Sequence, residues 1–214
     1  MGEPDEGAYA WMLRFHLGER TVRGTGVLTV RRGPGPLARL ACALLGLPRT
    51  GTAVPLHVTV TRLTAARTAP AQPHRPERTA PGPLERPVPD GEAGRREVPV
   101  VERWERVIGG RRLLSHQIRL GERGWERHGP LEVRTRTVAG AADVEVVQLG
   151  AVLRAGRHEI PVPARLAPRV HARAWTGPED PDGGPPSFRL EVEVALPVIG
   201  RLLSYQGHCR EERA

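Results

Sequence analysis

The chain has 214 residues, enough for one domain with a full hydrophobic core, and it carries a formal net charge of +8 at pH 7. All 32 basic residues are Arg, and the chain contains neither Lys nor Asn, as expected for a protein from a GC-rich genome. These Arg residues are dispersed and interleaved with Glu, which is typical of a solvated, salt-bridged sheet face, so nucleic-acid binding ranks last among the functions considered.

The two cysteines, Cys42 and Cys209, lie far apart and lack Cys or His ligands at metal-site spacing. This spacing argues against a zinc site and against a fold held together by disulfides, so we expect reduced, buried thiols. The first seven residues are acidic and polar, unlike a secretory signal, and no window approaches the ~20 apolar residues of a membrane span. We therefore expect a soluble cytoplasmic protein, and we predict no cofactor and no metal.

Two helix candidates precede the main strand region. Residues 9–17 hold several bulky apolar side chains without clear periodicity, which predicts a short helix or an irregular lead-in. After a predicted strand at 21–30, the segment that starts at Pro36 and stops before Gly46 has the signals of a short amphipathic helix. Its apolar residues recur at helical spacing, namely Leu37, Leu40, Ala41, Leu44 and Leu45. We expect this helix to pack against the sheet and not on a membrane.

Alternation of apolar and polar residues predicts strands over most of the remaining chain. The clearest strand spans 187–196, where five apolar side chains alternate without a miss before a turn and a return strand at 203–209. Further strand candidates are residues 54–63, 98–108, 113–120, 131–138, 144–149, 157–162 and 170–175. About nine strands that follow one another directly favour a mainly β fold, a curved or closed antiparallel meander with one short amphipathic helix on its concave face.

Two segments rich in Pro and Gly interrupt this pattern. Residues 65–97 contain seven Pro and almost no bulky apolar side chain, a composition that cannot bury enough surface to order itself. Residues 176–187 have the composition of a mobile loop. We predict a single domain over residues 1–214, with a disordered Pro/Arg-rich insertion at 65–97.

Four residues are candidates for a site inside the curved sheet. The alternation places Trp104 and His116 on the apolar face of their strands, although a core histidine bonded to a backbone carbonyl is the ordinary interpretation of His116. Glu126 follows an aromatic residue, which can raise the pKa of a carboxyl, yet an ion pair with an Arg such as Arg106 or Arg127 is the commoner arrangement. Tyr205 is expected to place its ring in the core and its hydroxyl on a polar partner. No nucleophile or phosphate-loop motif is present, so catalytic residues stay unknown.

Several segments, taken in chain order, carry a resemblance to a known family. They are residues 33–40, 45–48, 54–56, 104–106, 126–131, 166–170 and 196–202, followed by Tyr205 and Gly207. Together they resemble the bacterial family called domain of unknown function 4166, over most of the chain outside 65–97. In that family the domain often follows a nucleotide-binding dehydrogenase-like domain or stands alone, which implies a dehydrogenase-like protein partner. This chain departs from the family at His128, where an aromatic such as Phe is usual.

Three functions stay open at this point. The interior of the curved sheet is expected to hold a lipid-like or other apolar small molecule, by analogy with other curved sheets and small barrels. The first alternative is a small enzyme that uses His116, Glu126 and Tyr205 in that cavity. The second is an interaction or accessory module for the dehydrogenase-like partner.

Overall fold

The computed structural model describes residues 6–18, 20–63, 98–176 and 186–212. The predicted insertion at 65–97 and most of the predicted loop at 176–187 lie outside these ranges. The described helices are α1 (Glu6–Leu17) and α2 (Pro36–Leu44). The described strands are β1 (Val22–Arg32), β2 (Gly51–Leu63), β3 (Val100–Ile108), β4 (Arg111–Leu120), β5 (Arg123–His128), β6 (Leu131–Ala139), β7 (Asp143–Ala155), β8 (His158–Pro161), β9 (Arg169–Thr176), β10 (Ser187–Leu196) and β11 (Gly200–Glu211).

Ten of these strands close into an antiparallel barrel. They pair in the order β6-β5-β4-β3-β2-β1-β11-β10-β9-β7, and β6 pairs with β7 to complete the ring. The short β8 pairs only with the last residues of β7. The predicted mainly β, curved or closed antiparallel sheet is confirmed, although the strands slightly outnumber the nine expected. The strand that the alternation missed is β5, because its six residues include a single large apolar side chain, Trp125.

The two ends of the barrel differ, and each is named here after its helix. The α1 end carries α1 and the first residues of β1, β3, β5, β7 and β10. The α2 end carries α2 and the turns that follow β3, β5 and β10. This division follows from the antiparallel pairing, because neighbouring strands run in opposite directions along the barrel.

The helix α1 plugs its end of the barrel. Trp11, Met12 and Phe15 are buried in the main hydrophobic core, where Phe15 contacts the rings of Trp104 and Phe188. At its other side, the hydroxyl of Tyr9 donates a hydrogen bond of 2.7 Å to the carbonyl oxygen of Gly140. The segment predicted as a helix or an irregular lead-in is thus a helix that fills the interior.

The helix α2 packs against the barrel, but through its small side chains and not through the leucines of its apolar face. It contacts β11 and β1 through its small side chains Ala38 and Cys42, and Cys42 Sγ lies 3.2 Å from the carbonyl oxygen of Leu202. Small residues let the helix backbone approach the strand closely, so α2 packs through them and its large leucines point to solvent. The leucines that were expected to pack are exposed, Leu37 by 59%, Leu40 by 57%, Leu44 by 78% and Leu45 by 61%.

Candidate functional site

A group of polar side chains lies inside the barrel, between β3, β4 and β5. Trp104 pairs with Ser115 in the β3–β4 register, so both side chains share the inner face. The guanidinium of Arg106, two residues further along β3, donates to Ser115 Oγ over 3.2 Å and to Glu126 Oε1 over 3.4 Å. Its Cζ lies 4.9 Å from the centroid of the Trp104 ring, a cation–π contact. Arg106 is therefore the centre of this lumen cluster.

The carboxylate of Glu126 is held in its charged form. Burial alone would raise its pKa, but the charge of Arg106 and the hydrogen bond from His128 lower it further than burial raises it. The resulting pKa of Glu126 lies well below that of an ordinary glutamate, and His128 Nε2 lies 3.1 Å from its Oε1. This residue is therefore a fixed negative charge in the lumen and a poor proton donor near neutral pH.

Tyr205 faces the same cluster from β11. Burial raises the pKa of its hydroxyl, the charge of Arg106 lowers it and the charge of Glu126 raises it. Both charged groups are thus near the Tyr205 hydroxyl, which has no hydrogen-bond partner among the residues that the structure describes. Of the four predicted site residues, the fold brings three together around Arg106, namely Trp104, Glu126 and Tyr205.

His116 does not join them. Its side chain is exposed, whereas Ser115, one residue earlier in β4, is fully buried. The prediction that His116 occupies the inner face is wrong because strand pairing places Ser115 opposite the buried Trp104, which turns His116 outward. The constellation of His116, Glu126 and Tyr205 that an enzyme would have used is therefore not assembled in the lumen.

A second polar cluster fixes α1 in the barrel. Glu102 is almost completely buried and accepts hydrogen bonds from Arg62 Nε over 2.9 Å and from Trp104 Nε1 over 2.8 Å. Arg119 reaches the same carboxylate over 3.4 Å and donates to the carbonyl oxygens of Leu17 and Gly18. Arginines at the C-terminal end of a helix satisfy its free carbonyl groups and complement the helix dipole, so this cluster stabilises the plug.

His16 is a site residue that the sequence analysis missed. It projects from α1 toward Trp104, with 6.1 Å between ring centroids. Burial, followed by the charges of Arg106 and Arg62, lowers its pKa to about 4, and its Nε2 is buried without a hydrogen-bond partner among the described residues. The signal was weak because residues 9–17 show no clear helical periodicity, so nothing in the sequence indicated that this histidine enters a barrel.

The lumen also has an apolar wall, supplied chiefly by β10. Phe188 at the start of β10 is fully buried against α1, whereas Leu190, Val192 and Val194, which follow it on the inner face, keep part of their surface accessible. The residues between them point outward and are charged, namely Arg189, Glu191 and Glu193. Accessibility on the inner face therefore begins where the plug ends and continues toward the α2 end.

An open groove of about 730 Å³ lies on the barrel wall beside β7. It forms where β7 leaves β9 and pairs with β8, and the side chain of Gln148 bridges the gap. Gln148 donates to the carbonyl oxygen of Pro168 over 2.5 Å and accepts from the backbone nitrogen of Val170 over 2.8 Å. Two charged residues at its rim, Arg134 and Glu159, already pair with each other over 2.8 Å. The groove thus offers few unpaired polar groups.

Comparison with known proteins gives one match. The model of the family described as Domain of unknown function (DUF4166) matches residues 76–209. No curated protein and no solved structure matches the chain. The matched span begins after β2, so the segments at 33–40, 45–48 and 54–56 that contributed to the resemblance lie outside it. Within the described ranges, no group of three or more potential metal ligands occurs, and no helix is long and apolar enough to cross a membrane.

Proposed function

The chain belongs to the family described as domain of unknown function 4166, and we propose that its barrel binds an apolar small molecule with one polar group. The observation that carries the proposal is the partial accessibility of inward-facing Leu190, Val192 and Val194 next to an unpartnered Tyr205 hydroxyl. Apolar walls with a few convergent polar groups are the usual chemistry of a small-molecule site.

The lumen cluster supplies the polar end of the proposed site. Arg106 and Glu126 already neutralise each other, so a carboxylate or phosphate ligand would compete with an existing ion pair. A neutral hydroxyl or carbonyl group fits better, because the Tyr205 hydroxyl can both donate and accept a hydrogen bond. The proposed ligand is thus an apolar molecule with a neutral polar group, such as a long-chain alcohol or a sterol-like compound.

The plug determines how such a molecule would enter. Trp11, Met12 and Phe15 fill the α1 end, and Arg62 and Arg119 bind the carbonyl groups at the end of the helix. Entry through the α1 end would therefore require loss of several buried contacts. The α2 end has no such plug among the described residues, so the proposed route of entry is at that end.

The test begins with native mass spectrometry of the purified protein and identification of any compound released by solvent. It continues with binding of a neutral apolar fluorescent probe, N-phenyl-1-naphthylamine, to the wild-type protein and to Val192→Phe, in which a larger side chain projects into the lumen. The matched control is Val27→Phe, because Val27 is an exposed residue of β1. The proposal predicts that probe binding is lost in Val192→Phe and kept in Val27→Phe. It also predicts that Tyr205→Phe retains a different set of the released compounds.

Equal probe binding by the three proteins, with no released compound, would contradict the lumen site. Binding to a dehydrogenase-like partner is a separate expectation and stays a prediction. Mixing the protein with such a domain and measuring their association would address it independently, because the lumen variants leave the outer surface unchanged.

A further inference from the structure

The α2 end exposes a cluster of large apolar side chains. Leu37, Leu40 and Leu44 lie on one face of α2, at successive turns of the helix, and Leu45 follows at its C-cap. Val198, in the turn between β10 and β11 at the same end, is 78% exposed. Because α2 contacts the barrel through Ala38 and Cys42, its large leucines point to solvent. The hydrophobic face of this helix therefore has no partner among the described residues.

The stretch of chain that contains the leucine face carries charge of a single sign. Residues 20–63 include seven Arg and neither Asp nor Glu. Arg31, Arg39, Arg49 and Arg201 flank the helix at the α2 end, and none of them forms an ion pair within the ranges that the structure describes. Other arginines of the barrel, Arg112, Arg154 and Arg173, pair with acidic residues.

A small depression at the same end adds a binding site for an anion. It has a volume of about 280 Å³ and is lined by Arg49, Thr50, Val54, Gly109 and Arg111. Neither arginine forms an ion pair among the described residues, so both guanidinium groups remain free to bind oxygen atoms. Two arginines beside a hydroxyl suit a phosphate group, because guanidinium binds phosphate through paired N–H donors.

We propose that the α2 end docks onto an anionic lipid bilayer, with the leucine face inserted at the headgroup boundary. Short amphipathic helices lie in this plane with their apolar side in the acyl region, and flanking arginines add attraction to anionic headgroups. The depression between Arg49 and Arg111 receives a lipid phosphate. This inference goes beyond the lumen function and does not depend on it, although both involve the α2 end.

The test is co-sedimentation of the full chain with vesicles of phosphatidylcholine alone and of phosphatidylcholine mixed with phosphatidylserine. We expect binding to the mixed vesicles that falls as salt is added. The double variant Leu40→Gln, Leu44→Gln should bind the mixed vesicles at least about ten-fold more weakly than the wild-type protein. Each of Arg39→Gln and Arg49→Gln should bind them about five-fold more weakly. Gln preserves helix propensity, and these side chains are exposed, so the variants should fold.

Two matched variants serve as controls. Leu149 is 58% exposed on β7, and Arg23 is an exposed residue without an ion pair at the α1 end. Leu149→Gln and Arg23→Gln should bind the mixed vesicles like the wild-type protein. The lumen variant Val192→Phe should also bind them normally, which separates this proposal from the proposed lumen function.

Three results would overturn the proposal. The first is absence of binding to phosphatidylserine vesicles at low salt, and the second is equal weakening in the control variants. The third is a dimer by light scattering that dissociates in the Leu40→Gln, Leu44→Gln variant, since the occupant of the leucine face would then be a second copy of the chain. Unfolding midpoints measured for all variants establish that weaker binding does not arise from loss of structure.

Discussion

Arg62 Nε lies 2.9 Å from Glu102 Oε1, and both side chains are at least 98% buried, 2% and 1% of their surface remaining exposed. Arg62 also donates to the carbonyl oxygen of Phe15 over 2.7 Å. One ion pair thus connects β2, β3 and the last turns of α1. Removal of the Glu102 charge leaves Arg62 buried without a carboxylate partner.

Glu102→Gln should therefore destabilise the protein strongly. Breaking a buried ion pair from one side typically costs about 3–5 kcal/mol, because the remaining charge is desolvated and uncompensated. Denaturant unfolding measures this loss. Glu105→Gln is the control, since the pair of Glu105 with Arg112 is much more exposed and should contribute far less to stability. Similar losses for the two variants would contradict this account.

His16 should make stability depend on pH between about 6.5 and about 4. Burial and two nearby arginines lower its pKa to about 4 in the folded protein, so the unfolded chain binds the proton first as the pH falls. Stability is then constant above about pH 6.5 and decreases as the pH falls from 6.5 to 4, by about 2–3 kcal/mol in total.

His16→Gln should remove most of that decrease, whereas His57→Gln, at an exposed position of β2, should retain it. The measurement is the free energy of unfolding at a series of pH values for the three proteins. An identical slope for wild type and His16→Gln in this range would show that His16 is not the titrating group. Below this range Glu126 adds a further loss, because its lowered pKa makes its contribution disappear on protonation.

Both cysteines should be unreactive in the folded protein. Burial raises the pKa of Cys209 to about 12, and burial also raises the pKa of Cys42 despite the nearby charge of Arg32. At about pH 8 only about one Cys209 in ten thousand is a thiolate, which is the form that reacts. Labelling with iodoacetamide, followed by mass spectrometry, should be slow in buffer and complete in denaturant. Rapid native labelling of Cys209 would contradict its burial.

Gly207→Ala should destabilise the barrel at the seam between β1 and β11. A Cβ atom there would overlap the carbonyl oxygen of Val27 and lie 2.9 Å from Leu28 Cα, both backbone atoms that cannot move aside freely. Overpacking of this kind costs about 1–3 kcal/mol or more. Gly150→Ala is the control, because no described atom lies within 4 Å of its added Cβ. Alanine also weakens a strand interior less than glycine does. Equal stability of the two variants would rule out this close approach.

The last hairpin shows what alternation predicts well. The predicted strand at 187–196 coincides with β10, and Phe188 and Val192 face inward as the pattern indicated. The residues between them are charged and exposed, so the hydrophobic effect alone determines which face is buried. A strand of this kind can be assigned to a face from its own sequence.

Alternation failed in β4, where the lumen itself is polar. Leu114 and His116 point outward, while Ser115 points inward toward Arg106. Because buried charges satisfy one another across strands, the face with more apolar residues is not the buried one, and only the pairing with β3 determines the orientation. For the candidate site, the sequence predicted inward-facing Trp104 and Tyr205 and an ion pair of Glu126 with Arg106 or Arg127, but not His16 or the outward turn of His116.

The sequence did not show which residues of the two helices are buried, for a related reason. Helical spacing of Leu37, Leu40 and Leu44 indicates an apolar face, but it does not say what covers that face. The short side chains of Ala38 and Cys42 decided the contact, because they allow the closer approach to β11. In α1 the buried residues Ala8, Trp11, Met12 and Phe15 do recur at helical spacing, but further apolar residues on the other sides of the helix hide the pattern in the sequence.

The position of β1 and β2 in the ring has a consequence for the part of this chain that the family model matches. The matched residues 76–209 include β3 and nearly all of β11, the two strands between which β1 and β2 are inserted. Among the described residues, a fragment limited to that span would lack the strands that close the ring, which leaves β3 and β11 as sheet edges, and it would lack α1. Exposed strand edges recruit other strands, so such a fragment is expected to self-associate or to accept a hairpin from another chain.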